Sequence, residues 1–260
     1  MGKRPKRTNT RAEGRATGGD VGPVTGLRII GGEFRHRHLL YSGDLRTRPM
    51  KDRLREAIFN LIGPEIRGRH AIDLFAGTGA LGLEAISRGA ARATLIEQHH
   101  PTADLIRKNI AELGLEARAD VAVGNTFIWW KLRNKRQGNA TGLGRHAHAC
   151  RGHEEERTQP HMPTTSVGMA PAPEAAKFRF DDVPWAVFCS PPYDFYVERN
   201  DEMLDLLSGL IQAAPDGSVF VVEADVRFDF GQLPDYSKWD VRSYPPAVVG
   251  IFRKEVKDST

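Results

Sequence analysis

Read as a string of apolar and polar positions, the chain switches between two periods. In KDRLREAIFNLI the residues Leu54, Ala57, Ile58, Leu61 and Ile62 recur at three- and four-residue spacing, which predicts a helix with one buried stripe. HAIDLF then predicts a strand, and ALGLEAISRG a helix closed by Gly89. ATLIE predicts the next strand, PTADLIRKNIAELG a helix opened by Pro101 and ended by Gly114, and ARADVAVG a third strand. Further on come a strand WAVFC, a helix over about residues 199–213, a strand SVFVVEA and a closing pair, WDVRSY and AVVGIFRK. Ahead of them all, LRIIGG and RHLLYS predict a short hairpin around Glu33–Arg37. Strands alternating with helices predict a mostly parallel sheet covered on both faces. The last two strands follow one another with no helix between them, so one of them is expected to be antiparallel.

Two stretches break the rhythm. Residues 1–26 carry Lys3, Arg4, Lys6, Arg7, Arg11 and Arg15 with almost nothing to bury, and read as a disordered basic tail, either a solubilising extension or an arm for a polyanion. Residues 133–177 hold Leu143 and Val167 as their only branched aliphatics and read as a flexible insertion. Inside it, His146, His148, Cys150 and His153 look like metal ligands but lack the paired, turn-borne spacing of a structural zinc site, and no metal is expected. The domain is thus expected over 27–254, with the hairpin and first helix in 27–63 and a short tail at 255–260.

Composition narrows the class. The formal charge of +4 favours a polyanionic partner, and the two cysteines, far apart, give no disulfide framework. No apolar run approaches the ~18 residues that span a membrane, and the basic N-terminus has no apolar segment behind it, so no membrane partner and a cytoplasmic location are expected.

The chemistry-bearing residues cluster at predicted strand ends, where open α/β sheets bind ligands. The first strand runs into Asp73-Leu74-Phe75-Ala76-Gly77-Thr78-Gly79-Ala80-Leu81-Gly82, a glycine loop that lets the backbone approach a bound molecule. Asp73 would repel a pyrophosphate but suits a cationic ligand with an amine. The second strand ends in Glu97, placed to accept from ribose hydroxyls, and the third in Asn125-Thr126, whose Asn125 amide both donates and accepts as an adenine edge requires. Asp73, Phe75, Gly77, Gly79, Glu97, Asn125 and Thr126 together describe a pocket for a nucleoside with a positive tail, a description S-adenosylmethionine (SAM) meets better than NAD.

The fourth strand stops at Ser190-Pro191-Pro192-Tyr193. Two prolines lock the backbone and end ladder pairing. Such a platform suits methylation of an exocyclic amine, whose lone pair is delocalised into the base. The Pro191 carbonyl and the Ser190 side chain would take N–H hydrogens, and Tyr193 would stack on a flipped-out base. Cys189 reads as a buried strand residue.

On LRIIGGEFRHRHL, RTRPMKDRLREAIFNLI, IDLFAGTGALGLEAISRGAARATLIE and SPPY the chain resembles the RsmD-type family of bacterial 16S rRNA guanine-N2 methyltransferases. The resemblance covers roughly 27–132 and 180–253. It implies a Rossmann-like class I SAM-dependent methyltransferase fold of seven strands with an N-terminal β-hairpin, SAM as cofactor, and 16S rRNA or the small ribosomal subunit as partner of a monomeric enzyme. It also implies Asp where this chain has Ser190. Arg28, Arg35, Arg37, Arg46, Arg48, Lys51, Arg53 and Arg55 are expected to form a phosphate-contacting face. DNA amino-methylation, protein-glutamine methylation and a catalytically weak rRNA assembly factor stay open as alternatives. No target-recognition domain of sufficient size is visible for the first, and the basic N-terminal half suits the second poorly.

Overall fold

The computed structural model describes residues 26–44, 47, 49–142 and 183–256. The basic tail, the four candidate metal ligands, and Arg46 and Arg48 lie outside the described residues. Helix α1 (Asp52–Ile62) precedes strand β1 (His70–Asp73), helix α2 (Ala80–Ser87), strand β2 (Arg92–Glu97), helix α3 (His100–Glu112) and strand β3 (Ala119–Val123). Helix α4 (Thr126–Gly142), strand β4 (Trp185–Cys189), helices α5 (Phe195–Glu198) and α6 (Asn200–Ala213), and strands β5 (Val219–Asp225), β6 (Trp239–Tyr244) and β7 (Ala247–Arg253) complete the order. The sheet runs β3-β2-β1-β4-β5-β7-β6, with β7 antiparallel to both its neighbours and β1 to β5 parallel. This is the Rossmann-like class I methyltransferase sheet, and its strand order reverses between β1 and β4.

Side chains alternate across the sheet as a period of two demands. Ala186 and Phe188 of β4 join Val219 and Val221 of β5 in one core, where α1, α2 and α3 pack. Trp185, Val187 and Cys189 face the other way, with Phe220, Val222 and the apolar stripe of α6, Met203, Leu206, Leu207 and Leu210. Lys254, just past β7, donates from Nζ to the carbonyls of Ile211 (2.9 Å) and Ala214 (2.6 Å), satisfying acceptors that the end of α6 leaves open.

Four expectations about the fold are corrected. The insertion does not begin at 133, because α4 continues to Gly142. Lys131, Leu132, Arg133 and Lys135 are good helix formers, and all but Arg133 are exposed, so poverty in apolar residues here marks a solvated helix face rather than a loop. The Arg133 guanidinium even lies over the Trp185 ring, 4.9 Å from its centroid. In α1 the buried face is Arg55, Ile58, Phe59 and Ile62, while Leu54, Ala57 and Leu61 are half-buried. The hairpin is a single antiparallel bridge, Arg28 to His38, flanked by Ile29 N–H to Arg37 O (2.9 Å) and Leu39 N–H to Leu27 O (2.9 Å).

The fourth correction is Arg55, which is fully buried rather than presented to a phosphate. Its guanidinium donates to Arg28 O and, at 2.9 Å, to Asp52 Oδ1, with Glu84 of α2 at 3.7 Å. Glu84 in turn accepts from Ile30 N–H (2.7 Å), Gly31 N–H (2.7 Å) and Arg88 Nε (2.7 Å). The glycines of RIIGG fit the same junction. At Gly32, with φ of +78°, a Cβ would fall 1.9 Å from Ser87 O, so the backbone lies flat on the end of α2.

Candidate active site

A cavity of about 1170 Å³ opens at the carboxyl ends of β1, β2 and β4, at the switch point. Phe75, Gly77, Glu97, Asn125 and Thr126 line one end of it, and Ser190, Pro191, Pro192 and Tyr193 line the other. Glu223 from β5 and the turn Tyr244–Ala247 between β6 and β7 close its side, and Lys51, Arg53 and Leu54 stand at its α1 wall.

The β1 loop is pinned from both sides. Leu74 N–H bonds Phe188 O (3.0 Å) and Ala76 N–H bonds Ile96 O (2.9 Å), carrying the ladder past the strand end. Gly77 then turns with φ of +50°, and its N–H is taken by Glu97 Oε2 at 2.8 Å. The other Glu97 oxygen accepts from His99 N–H at 2.7 Å. Burial raises the Glu97 pKa, opposed by these two N–H groups. Each oxygen still has a lone pair to offer a hydroxyl.

Asp73 and Gly79 are not on the cavity wall. Asp73 is 1% exposed beneath the loop, where Oδ2 accepts from Gly82 N–H (3.1 Å) and Oδ1 is buried without a hydrogen-bond partner. Its pKa is pushed up to about 7, first by burial, against the Gly82 N–H, with Glu97 adding to the rise and the Phe75 N–H opposing it. The sequence places Asp73 against an amine directly; in the structure it holds the loop from below through Gly82 N–H. Gly82 is needed for packing, since a Cβ there would sit 2.8 Å from Leu95 Cδ2.

Asn125 also differs from expectation. Its Oδ1 caps α4, accepting from Phe127 N–H (3.0 Å) and Ile128 N–H (3.2 Å), which leaves the amide NH₂ as its contribution to a ligand. Thr126 Oγ1 donates to Leu74 O and ties the same corner to β1. Phe75 packs edge-on against Phe127 and Phe195 at 6.2 and 5.9 Å, giving this end of the cavity an aromatic wall.

At the reactive end, Pro191 is buried, Pro192 exposed, and Ser190 and Tyr193 half-buried. The Pro192 carbonyl is engaged by Phe195 N–H at 2.9 Å, which starts α5. Ser190 Oγ and Tyr193 OH both donate to Glu223, one to each carboxylate oxygen. Glu223 is 5% exposed, and burial raises its pKa against the pull of these two donors. Sequence reasoning passed over Glu223, although the signal was there: a lone carboxylate closes the apolar strand SVFVVEA. Cys189 lies behind the loop, fully buried, its thiol pushed up to about 12 by burial.

The expected phosphate-contacting residues do not form one face. Lys51 and Arg53 are exposed at the cavity. Arg35 and Arg37 sit on the hairpin, and Arg37 donates to Glu112 O at the far end of α3. Helix α3 starts beside the cavity and rises ~1.5 Å per residue, so that contact lies roughly 18 Å away. Arg28 is paired with Asp52 at 3.3 Å.

The donor set fits a positively charged nucleoside such as SAM: a partnerless buried carboxylate oxygen under the loop, an acceptor pair at Glu97, a donor amide at Asn125, and an aromatic wall.

A family model described as Conserved hypothetical protein 95 matches residues 27–140. The Ribosomal RNA small subunit methyltransferase D of Escherichia coli strain K12 is 48% identical over 87 residues, 34% of this chain and 44% of that protein. The protein of the same name from Haemophilus influenzae is 39% identical over 87 residues, 34% of this chain and 45% of its own length. The chain therefore spans less than half the length of these two curated relatives. Among solved structures, a candidate methyltransferase of Escherichia coli superposes with a TM-score of 0.55 at 25% identity, covering 88% of this chain and 98% of its own. A hypothetical protein of Thermus thermophilus gives a TM-score of 0.56 at 23% identity, covering 87% and 99%. The matches in sequence cover less than half of the chain, while the likeness in fold extends over most of it.

Proposed function

We propose that this protein is a SAM-dependent methyltransferase acting on the exocyclic N2 amine of a guanine in small-subunit rRNA. The observation that carries the reading is a single cavity with a glycine loop and Glu97 at one end and a proline-stiffened Ser-Pro-Pro-Tyr loop at the other. Similarity to small-subunit rRNA methyltransferases over about a third of the chain supports the substrate class. The same reading makes it a cytoplasmic monomer with 16S rRNA, free or in the small subunit, as partner.

Glu97 would take the ribose hydroxyls, the Asn125 amide an adenine ring nitrogen, and Phe75 the flat face of the base. The charge of Asp73 beneath the loop would favour a cationic tail. When bound, SAM supplies a methyl group activated by its sulfonium. Everything else falls to the chain. The Pro191 carbonyl accepts one N–H of the target amine and so turns its nitrogen lone pair outward. The Tyr193 ring, its hydroxyl tethered to Glu223, is held as a stacking surface rather than a free rotor. Lys51 and Arg53 meet phosphates at the entrance.

The test is transfer of labelled methyl from SAM to unmodified small-subunit rRNA and particles, followed by nucleoside analysis. Label in N2-methylguanosine that disappears with Tyr193→Ala is the expected result. Label in another nucleoside would discard the guanine assignment, and no label on RNA despite SAM binding would favour an assembly factor.

A further inference from the structure

We propose that Glu223 is the terminal acceptor of the proton released from the target amine, and that Ser190 Oγ relays it. This rests on the methyl-transfer reading above and deepens it. The RsmD-type resemblance implies a carboxylate at position 190, and this chain has a hydroxyl. A hydroxyl carries one proton, and Ser190 spends it on Glu223 Oε2. Towards the cavity Oγ is therefore left with lone pairs alone, which makes it an acceptor. Tyr193 OH fills the other carboxylate oxygen, so Glu223 is fixed in place by two donors from the substrate loop while its strand lies in the cavity wall. The carboxylate that the loop lacks is supplied by the neighbouring strand.

The proton accounting closes. The amine nitrogen gives its lone pair to the incoming methyl carbon, with the C–S electron pair left on sulfur, and becomes positively charged. One N–H bond then breaks, its pair returning to nitrogen. The proton goes to Ser190 Oγ as the hydroxyl's own proton passes to Glu223 Oε2. Ser190 ends as it began, and Glu223 ends as a neutral acid that later loses its proton to water. The groups facing Glu223 fit this end state. Asp225 on the same strand adds to the upward shift and is itself paired with Arg227 at 2.8 Å. Cys189 on β4 and Tyr196 on α5 lie behind, both held neutral by burial.

The experiment compares the full-length protein with Glu223→Gln, Ser190→Asp and the double variant. Four readouts serve: kcat and KM for methyl transfer to small-subunit rRNA, the pH–rate profile, SAM affinity by calorimetry, and a ¹³C NMR titration of Glu223. Glu223→Gln should lower kcat by roughly 100-fold, leave SAM affinity within about twofold, and remove the acid limb of the profile. Ser190→Asp placed on Glu223→Gln should recover about tenfold, because an aspartate takes the proton directly. In the NMR arm, Ser190→Ala should move the Glu223 midpoint further up, since it removes a donor to the ionised form. A Glu223→Gln enzyme within about threefold of the parent, or no recovery in the double variant with SAM affinity intact, would overturn the relay. If the parent itself methylates nothing, the functional reading fails, and a Glu223 midpoint indifferent to Ser190→Ala would then overturn the relay separately.

Discussion

Arg55 of α1 and Glu84 of α2, neither with any exposure to solvent, stand 3.7 Å apart at the seam between the N-terminal segment and the Rossmann-like body. Around them the N–H groups of Ile30 and Gly31, the guanidinium of Arg88 and the carbonyl of Arg28 complete one buried polar network. Burial lowers the Arg55 pKa, while Glu84 and Asp52 hold it up. Residues that look from their type like a surface for RNA thus fasten one part of the chain to another.

Glu84→Gln should destabilise the fold by up to about 3–5 kcal/mol, since it removes the buried one of the two carboxylates beside a buried guanidinium and leaves only the half-exposed Asp52. Urea denaturation measures this directly. Arg55→Met, which removes the other charge and keeps much of the volume, should restore part of the loss when added to Glu84→Gln. A non-additive double-mutant cycle is the expected signature.

Gly82→Ala tests whether α2 must lie this close to β2. The added methyl meets Leu95 Cδ2 at 2.8 Å and Cγ at 2.9 Å, and helix propensity alone would favour alanine. Overpacking should win, costing about 1–3 kcal/mol in denaturation and weakening SAM binding, because the Asp73 contact to Gly82 N–H moves with the helix.

Asp73 carries a pH signature of unusual sign. Its folded-state pKa, about 7, lies above the unfolded value of 3.8, so between those limits the native state binds the proton more readily. Its contribution to stability is therefore greatest in acid and is lost as the pH rises from about 4 to 7. His70, lowered to about 3 by burial, acts oppositely below its unfolded value of 6.5. The useful quantity is the difference between wild type and Asp73→Asn. Thermal melts should show Asn gaining on Asp with rising pH, flat above pH 8, while its SAM affinity falls.

Lys51 and Arg53 are predicted to set RNA affinity at the entrance. If each meets one phosphate, Lys51→Ala with Arg53→Ala should reduce the slope of log K against log salt by roughly 1.4 to 1.8. Arg35→Ala with Arg37→Ala, on the hairpin whose Arg37 meets α3 roughly 18 Å from the cavity, should leave kcat unaltered on a short RNA that reaches only the entrance. Filter binding over a salt series and single-turnover rates measure the two.

The periodic part of the fold was readable from residue types. All seven strands predicted from His70 onward are present, while the hairpin ahead of them is a single bridge, and the antiparallel member follows from two strands with no helix between them. Loop glycines and strand-end polar residues point to the cavity because strand ends are where this topology gathers chemistry. What escaped reading depends on partners distant in sequence. Arg55 looks like any helix arginine until Glu84 is folded against it. Asn125 looks like a free amide until α4 starts beside it and takes its oxygen. Glu223 becomes interpretable only once β5 lies beside β4 and brings it under Ser190. The helical extent of α4 was hidden differently: a solvated helix end and an unstructured insertion have similar compositions, and only the backbone separates them.

Helix α4 begins at the cavity and runs away from it, and β4 starts on that same far side, where His70 N–H meets Pro184 O at 3.0 Å. Gly142 and Val183 therefore both lie at the end of the sheet opposite the chemistry. Cargo joined directly at Gly142 or Val183, such as a fluorescent reporter or an affinity handle, would be anchored at that far end, so labelling and turnover should be separable in one molecule.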